Sequence, residues 1–302
     1  MIPAFPKIFS LGQIYIKDIL LNPIEITEKI DGSAFAFGKL DGQVHMRSKR
    51  SMIYKNMADQ MFVKAHDYVL SIQDRLSDGK IYYAEYLSKP KHNALKYERI
   101  PRNGLALYGV SDYTTRAFVS EYTDLQRYAD QIDIDVVPLL YIGHLATVES
   151  LKGLLDRKSV YGDVDIEGIV VKNYERSMLI AEQFFPIMCG KFVSEKYKEQ
   201  AGDWRKDHTN VGRWEGFKQS YRTEARWLKA IQHLREDGRL EGSPTDIGSL
   251  FREVHRDITD ESKIDIQDFL WDHFGREVLR DSTAGLAEFY KTYLMEGTND
   301  GQ

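Results

Sequence analysis

Cysteine is almost missing from this chain: Cys189 is the only one in 302 residues. A single thiol excludes an internal disulfide and argues against a multi-cysteine zinc site, so any metal must be held by oxygen or histidine. The eight histidines are scattered, and neither His144 nor His208 has metal-ligand spacing to another. Nothing in "FFPIMCGKF" offers Cys189 a histidine partner for thiol chemistry, so it reads as a buried small residue. Long apolar runs are missing as well. No window approaches the roughly 18 apolar residues of a membrane span, and "MIPAFPKIFS" has neither the basic start nor the long apolar centre of a signal peptide. A soluble, cytoplasmic protein with no membrane partner is expected. Internal repeats and low-complexity tracts are absent too, although "EGTNDGQ" reads as a frayed tail.

The chain does have size and an uneven charge. With 42% hydrophobic residues it can bury a sizeable core, as one large or two ordinary domains. The net charge of −5 argues against coating nucleic acid wholesale, but its distribution is asymmetric. Residues 1–185 are nearly neutral. Residues 186–235 hold eleven Lys and Arg against six Asp and Glu, and residues 236–302 hold seven against sixteen. The basic block suits either a solvated helix face with a linker or a nucleic-acid contact. Its aromatic stripe "RWEGFKQSYRTEARWL", interleaved with Arg213, Arg222 and Arg226, allows both helix core and a phosphate backbone.

Up to about residue 195 strand signals dominate. "AFAFGKLDGQVHMRS" predicts a hairpin around Asp41-Gly42, and "KIYYAEYL", "GLALYGVSDY" and "DIEGIVVKNY" predict further strands. Between them Met57, Met61, Ala65, Tyr68, Ile72 and Leu76 recur at helical spacing. After the polar "KEQAGDWRKDHTNVGR" only helical periodicity remains. Ser243-Pro244 opens one helix with Ile247, Leu250, Phe251, Val254 and Ile258 on one face, and "IDIQDFLWDHFGREVL" predicts another. The expected architecture is α+β: a mostly antiparallel domain over 1–199 and a small all-α C-terminal domain over 200–302.

The stretch "ITEKIDGSAFAF" places a lysine where a strand ends and bends, with Asp31-Gly32 expected to turn through positive φ. A nucleophilic lysine needs a depressed pKa, from burial or neighbouring cations, and a strand end in an apolar pocket could provide it. Downstream lie Glu85 in an aromatic strand, Glu167-Gly168 and Lys172 in "DIEGIVVKN", and three lysines in "GKFVSEKYKE". This order resembles the covalent nucleotidyltransferases, the superfamily of ATP-dependent ligases and capping enzymes with an ATP-grasp-like adenylylation domain. Within it the closest resemblance is to the RNA ligase 2 family. The Glu-Lys-x-x-Gly of "EKIDGSAF", the Pro-Leu-Leu of "DVVPLLYIG" and the helical C-terminal part carry it.

By this resemblance the protein is an ATP-dependent RNA ligase needing Mg2+ or Mn2+. It would act as a monomer on RNA with 5′-phosphate and 3′-hydroxyl ends, which a nicked duplex also presents, and RNA repair is the implied role. Lys29 would become lysyl-AMP, with Lys172 and Lys191 as the other catalytic lysines neutralising phosphates. The implied nucleotide contacts are Glu28, Ile30 and Gly32 around the lysine, Glu85 at the ribose hydroxyls, and Glu167, which would also hold the metal. The phosphate-contacting arginine falls at Arg47, with Lys49 as the substitute. Val110 falls under the adenine with Tyr108 beside it. Where the family often has Lys-x-Lys, Val193 stands two places after Lys191, leaving the second lysine absent or replaced by Lys196 or Lys198. The rival readings are an ATP-dependent DNA ligase, a capping-type nucleotidyltransferase and a catalytically silent nucleic-acid-binding relative.

Overall fold

The computed structural model describes residues 1–54, 61–145, 147, 149–180, 182–194 and 210–297. The chain divides into two compact units: Met1–Ala201 with Tyr221–Leu250, and Gly202–Ser220 with Phe251–Gln302. Residues 221–250 therefore pack with the first unit, although they lie beyond the boundary expected at residue 200.

The first unit is built on two sheets. One has six strands in the order β5 (Met52–Ile53), β4 (Gln43–Ser48), β3 (Ser33–Leu40), β6 (Lys80–Tyr86), β7 (Leu105–Asp112) and β8 (Asp135–Val136). The other has five, β1 (Phe9–Ser10), β13 (Met188–Val193), β10 (Gly168–Asn173), β2 (Ile24–Lys29) and β9 (Leu139–Gly143). The short strands β11 (Met178–Ile180) and β12 (Gln183–Phe185) pair with each other. Among the described strand pairs, only β1–β13 and β7–β8 are parallel. The predicted hairpin is β3–β4, and Asp41 and Gly42 turn it with φ of 51° and 75°, the left-handed pair such a two-residue turn requires.

Alternation along the strands separates two kinds of surface. On one face of the six-stranded sheet Phe35, Phe37, Tyr82, Tyr86, Leu107 and Val110 join Ala65 and Val69 of α1 (Val63–Ser71) and Leu125 and Ala129 of α2 (Tyr122–Gln131). Met57, expected to extend the first helix, lies outside the described residues. On one face of the five-stranded sheet Ile24, Ile26, Ile169, Val171 and Met188 form a second core with Ile16, Ile19 and Leu151, the last from the short helix α3 (Glu149–Lys152). The remaining faces of the two sheets meet where Lys172 donates to the Tyr108 carbonyl at 2.7 Å.

Beyond the sheets the described elements are helices: α4 (Asn210–Ser220), α5 (Glu224–Glu236), α6 (Ile247–Ser282) and α7 (Leu286–Gly297). Ser243 and Asp246 form a capping box with Pro244 between them, as the Ser-Pro signal implied. The two helices expected after it are one, because neither Gly nor Pro occurs between Leu250 and Phe274 to break the ladder. The apolar face expected there is not the one turned inward, since Ile247 and Phe251 are exposed. In the second unit Phe269 instead stacks on Phe217 with ring centroids 3.8 Å apart, alongside Trp214. This part of the aromatic stripe is helix core.

Close backbone approach makes Gly168 the most sensitive small residue of the five-stranded sheet. A Cβ there would lie 2.4 Å from the Phe192 carbonyl oxygen and 2.9 Å from Val193 Cα. Gly168→Ala should cost at least about 2 kcal/mol, in the range of overpacked cores. Gly153→Ala, which meets nothing within 4 Å, should be close to neutral. Urea unfolding of both variants checks this, and equal midpoints would show that the strands simply part to admit the methyl.

Candidate active site

The two sheets exchange the chain at one point. Strand β2 turns Ile24 and Ile26 into the core and Glu25, Thr27 and Lys29 to the opposite face, and after Lys29 the chain crosses through Ile30, Asp31 and Gly32 into β3. Gly32 is required by proximity rather than by positive φ. A Cβ would fall 2.7 Å from both Glu85 Cγ and the Tyr86 carbonyl oxygen, and neither Asp31 nor Gly32 adopts positive φ. The crossover is pinned from several sides. The Leu95 N–H donates to Asp31 Oδ2 at 2.6 Å, and the Asp31 N–H donates to the Tyr97 hydroxyl at 2.9 Å. Asn93 and Gln232 amides donate to the Gly32 carbonyl at 2.8 and 3.0 Å.

Register does the rest. Lys29 pairs with Gly168, which puts Glu167 beside the lysine at the end of β10. The Lys29 Nζ lies 2.6 and 2.5 Å from the two oxygens of Glu167, a bidentate, charge-assisted contact. Burial pulls the Lys29 pKa down, but Glu167, helped by Glu85 and Asp31, outweighs it and holds the group above the ordinary lysine value. The depressed pKa expected from the sequence is therefore not the resting state, because burial came with a carboxylate in contact.

More carboxylates surround this pair. Burial pushes Glu85 up to about 8; Lys29 pulls it back, while Glu167, Glu236 and Asp31 push it further. Glu236, the last residue of α5, accepts from the Ser33 hydroxyl and from Gln232 at 2.6 Å, and burial raises it too. A cleft of about 600 Å³ opens here, with Lys29, Asp31, Glu167, Lys49 and Lys91 on one side and α5 on the other.

The other expected residues are placed as follows. Register sets Lys172 and Lys191 on the same face as Lys29, and Lys191 is near enough to lower the pKa of Glu167. Lys172 is only 1% exposed, and its ammonium is taken by Glu25 at 2.7 Å and the Tyr108 carbonyl. Ile30 is buried with Leu87, Leu95 and Tyr97. Glu28 faces away from Lys29 and is buried. Burial raises its pKa, Ser159 and the Val160 backbone lower it, and its Oε1 has no hydrogen-bond partner among the described residues.

Two placements differ from expectation. Val110 is fully buried in the core against α1 and α2, while Tyr108 faces the other way. A bulge is the reason: Tyr83 pairs with Gly109 and Ala84 with Leu107, so Tyr108 is the extra residue and the alternation that would put 108 and 110 on one face is broken. Arg47 spends its guanidinium on the backbone carbonyls of Ile2, Ser48 and Lys49 at 3.0–3.2 Å. Lys49, the alternative, lines the cleft. Lys196 and Lys198 lie outside the described residues.

Sequence reasoning missed Asp31 as an anchor, Glu25 as the partner of Lys172, and the whole of α5. The Asp31 signal was present in Lys-x-Asp-Gly but was read only as a turn. Nothing in the sequence ties Gln232 or Glu236 to a motif some 200 residues earlier.

Comparison with known proteins places this arrangement. No curated protein matches the sequence. A solved structure of the Naegleria gruberi RNA ligase with PPi is 17% identical, over 65% of this chain and 57% of that one, with a TM-score of 0.50. A variant of the same ligase with ATP and Mn is 16% identical, over 64% and 57%, with a TM-score of 0.47. The chain thus spans a little more than half the length of that ligase, and the first likeness shows a shared fold. The sequence model of the RNA ligase family matches residues 22–188, more than half of the chain and the whole stretch from β2 into β13. This chain belongs to the RNA ligase family.

Proposed function

We propose that the chain is an ATP-dependent RNA ligase that joins 3′-hydroxyl and 5′-phosphate ends through lysyl-AMP and RNA-adenylate, working as a cytoplasmic monomer in the repair of broken RNA. The observation that carries this reading is Lys29 at the crossover of the two sheets, bound by Glu167 within an open cleft. In the first step the Lys29 amine attacks the α-phosphorus of ATP, an N–P bond forms, and pyrophosphate leaves with the broken P–O bond. In the second, an RNA 5′-phosphate oxygen displaces Lys29 from AMP, and in the third a 3′-hydroxyl displaces AMP.

A divalent cation fits the donor set in one particular way. Among the described residues no three His, Cys, Asp or Glu side chains form a metal cage. Magnesium commonly takes one or two carboxylates together with substrate phosphates, and Glu167 with Glu85 supplies the former. Burial is the main cause that pushes Glu85 to about 8, and the neighbouring Glu167, Glu236 and Asp31 add negative charge that a cation would relieve. Bound Mg2+ or Mn2+ would supply charge neutralisation at the phosphates.

The protein's part is control of the Lys29 proton. Burial is the largest single influence on Lys29 and favours the amine, and Glu167 overrides it. When Glu167 is engaged by another partner, burial prevails, the ammonium gives up its proton to solvent and the neutral amine is the nucleophile. Lys191 and Lys49 would meet phosphates, Glu85 the ribose hydroxyls, and Glu28, with its unpartnered oxygen, the adenine edge. Lys172, tied to Glu25, would bridge the two sheets beneath the nucleotide and support its phosphates only from behind.

Incubation with labelled ATP and magnesium should transfer AMP to the protein. Lys29→Ala should abolish the label while leaving the fold intact, and Lys29→Arg should fail as well because a guanidinium stays protonated. Adduct formation by Lys29→Ala would remove the central assignment.

Glu167→Gln separates proton storage from catalysis. Single-turnover adenylylation should rise with pH in the wild type, because a lysine held above its ordinary pKa yields more amine as pH rises. The variant should lose roughly 100- to 1,000-fold in rate, as on removal of one preorganised electrostatic group. Its rate profile should nevertheless move to lower pH, since the partner holding the proton is gone. A profile fixed in place would mean that Glu167 does not set the lysine pKa.

Glu85 has a folded pKa raised from 4.5 to about 8, so the folded state binds more protons than the unfolded state between those values and stability falls as pH rises through that window. Glu85→Gln removes this loss. The Tm gain of the variant over wild type should therefore grow between pH 5 and pH 8, and a constant difference would show that Glu85 is ionised throughout.

A further inference from the structure

Helix α5 has a second side to its position. Arg235 lines the Lys29 cleft and also a neighbouring cleft of about 520 Å³, walled by Met61, Ser88, Lys89, His92 and Gly238. Among the described residues no carboxylate lines this second cleft. Lys89, Lys91 and Arg235 are exposed and make no ion pair among the described residues. The wall between the clefts is rigidly built. The Ser88 N–H donates to His92 Nδ1 at 3.0 Å, His92 Nε2 meets the Ser33 hydroxyl at 2.9 Å, and that hydroxyl donates to Glu236, the neighbour of Arg235. With Nδ1 occupied by a backbone N–H, His92 is a neutral spacer. Burial, then Arg235 and Lys89, push it down to about 4.

Such a cleft suits an anion that arrives without a metal. A nucleoside triphosphate comes with a divalent cation that seeks oxygen ligands, and the described lining of the cleft has no carboxylate to offer. A phosphodiester carries one charge and is met by Lys and Arg alone. We propose that the RNA strand bearing the reacting end runs from the Lys29 cleft over Arg235 into this second cleft, where Lys89 and Arg235 hold its backbone phosphates. The proposal rests on the reading of the chain as an RNA ligase and adds the path of its substrate. It also gives α5 a function in RNA binding as part of the first unit.

The test uses the full chain with a fluorescent, 5′-phosphorylated single-stranded RNA and with labelled ATP. Binding is measured over a range of KCl on a Lys29→Ala background, with Lys89→Gln and Arg235→Gln added singly and together. Each substitution should flatten the slope of log K against log salt by about 0.7, the value for one lost single-strand phosphate contact. On the active background the pair should lower AMP transfer to RNA at least tenfold, whereas Lys89→Gln alone should take label from ATP as wild type does. Unchanged slopes beside normal labelling would overturn the proposal and leave the ligase reading standing. Loss of labelling in Lys89→Gln would overturn it as well, by assigning the cations to the triphosphate. If wild type takes no label yet the slopes flatten, the ligase reading fails and the RNA path stands.

Discussion

The contact between Lys29 and Glu167 is the constraint around which the rest of the first unit is arranged. It exists because β2 and β10 end together, Lys29 opposite Gly168, and because Gly168 lets β13 come within a distance no side chain would tolerate. On the other side Gly32 lets β3 begin against β6, which brings Glu85 to the same place. An isolated charge could not be held there: a buried lysine without Glu167 would shed its proton, and Glu167 without the lysine would take one up. The pair is therefore both a structural clasp and a reservoir whose proton can be released.

A second lysine–glutamate pair on the same strand face clarifies what the first is for. Lys172 and Glu25 lie 2.7 Å apart with side chains 1% and 4% exposed, and the lysine also holds a carbonyl of the opposite sheet. Lys29 and Glu167 are 28% and 13% exposed and open on a cleft. Chemistry and spacing are alike, but solvent access differs. The sealed pair fixes the two sheets against each other, and the open pair can exchange partners. On the proposed function, phosphate neutralisation would fall to Lys191 and Lys49, rather than to the sealed Lys172.

Much of this was legible in the sequence, for reasons that are local. The Asp-Gly hairpin, the alternation of β2, β6 and β10, and the lysine at a strand end all depend on neighbours a few residues apart. Strand register then carried Lys29, Lys172 and Lys191 to one face without further instruction, and Glu167, just before β10, meets Lys29 at the strand end. What failed depended on non-local geometry. A bulge at Tyr108 has no composition of its own, yet it sends Val110 into the core. Arg47 and Lys49 lie two residues apart at the end of β4, and the carbonyls of Ile2, Ser48 and Lys49 take the Arg47 guanidinium, which the sequence does not announce. The continuous α6 was missed because two apolar patterns out of phase looked like two helices, although no breaker stood between them.

Helix α5 is the clearest case of a component that sequence order conceals. It closes the basic block and precedes the acidic helices, and composition alone would assign it to the C-terminal domain. Its side chains reach the crossover instead: Gln232 holds the Gly32 carbonyl and Glu236 the Ser33 hydroxyl, within three or four residues of Lys29. A chain cut near residue 200 would keep the lysines and glutamates of the family pattern and yet lose one wall of the cleft and two anchors of the turn that aims Lys29. On the proposed function, the cut would affect lysyl-AMP formation as well as RNA binding, because an unpinned crossover lets the lysine wander from the position that step needs.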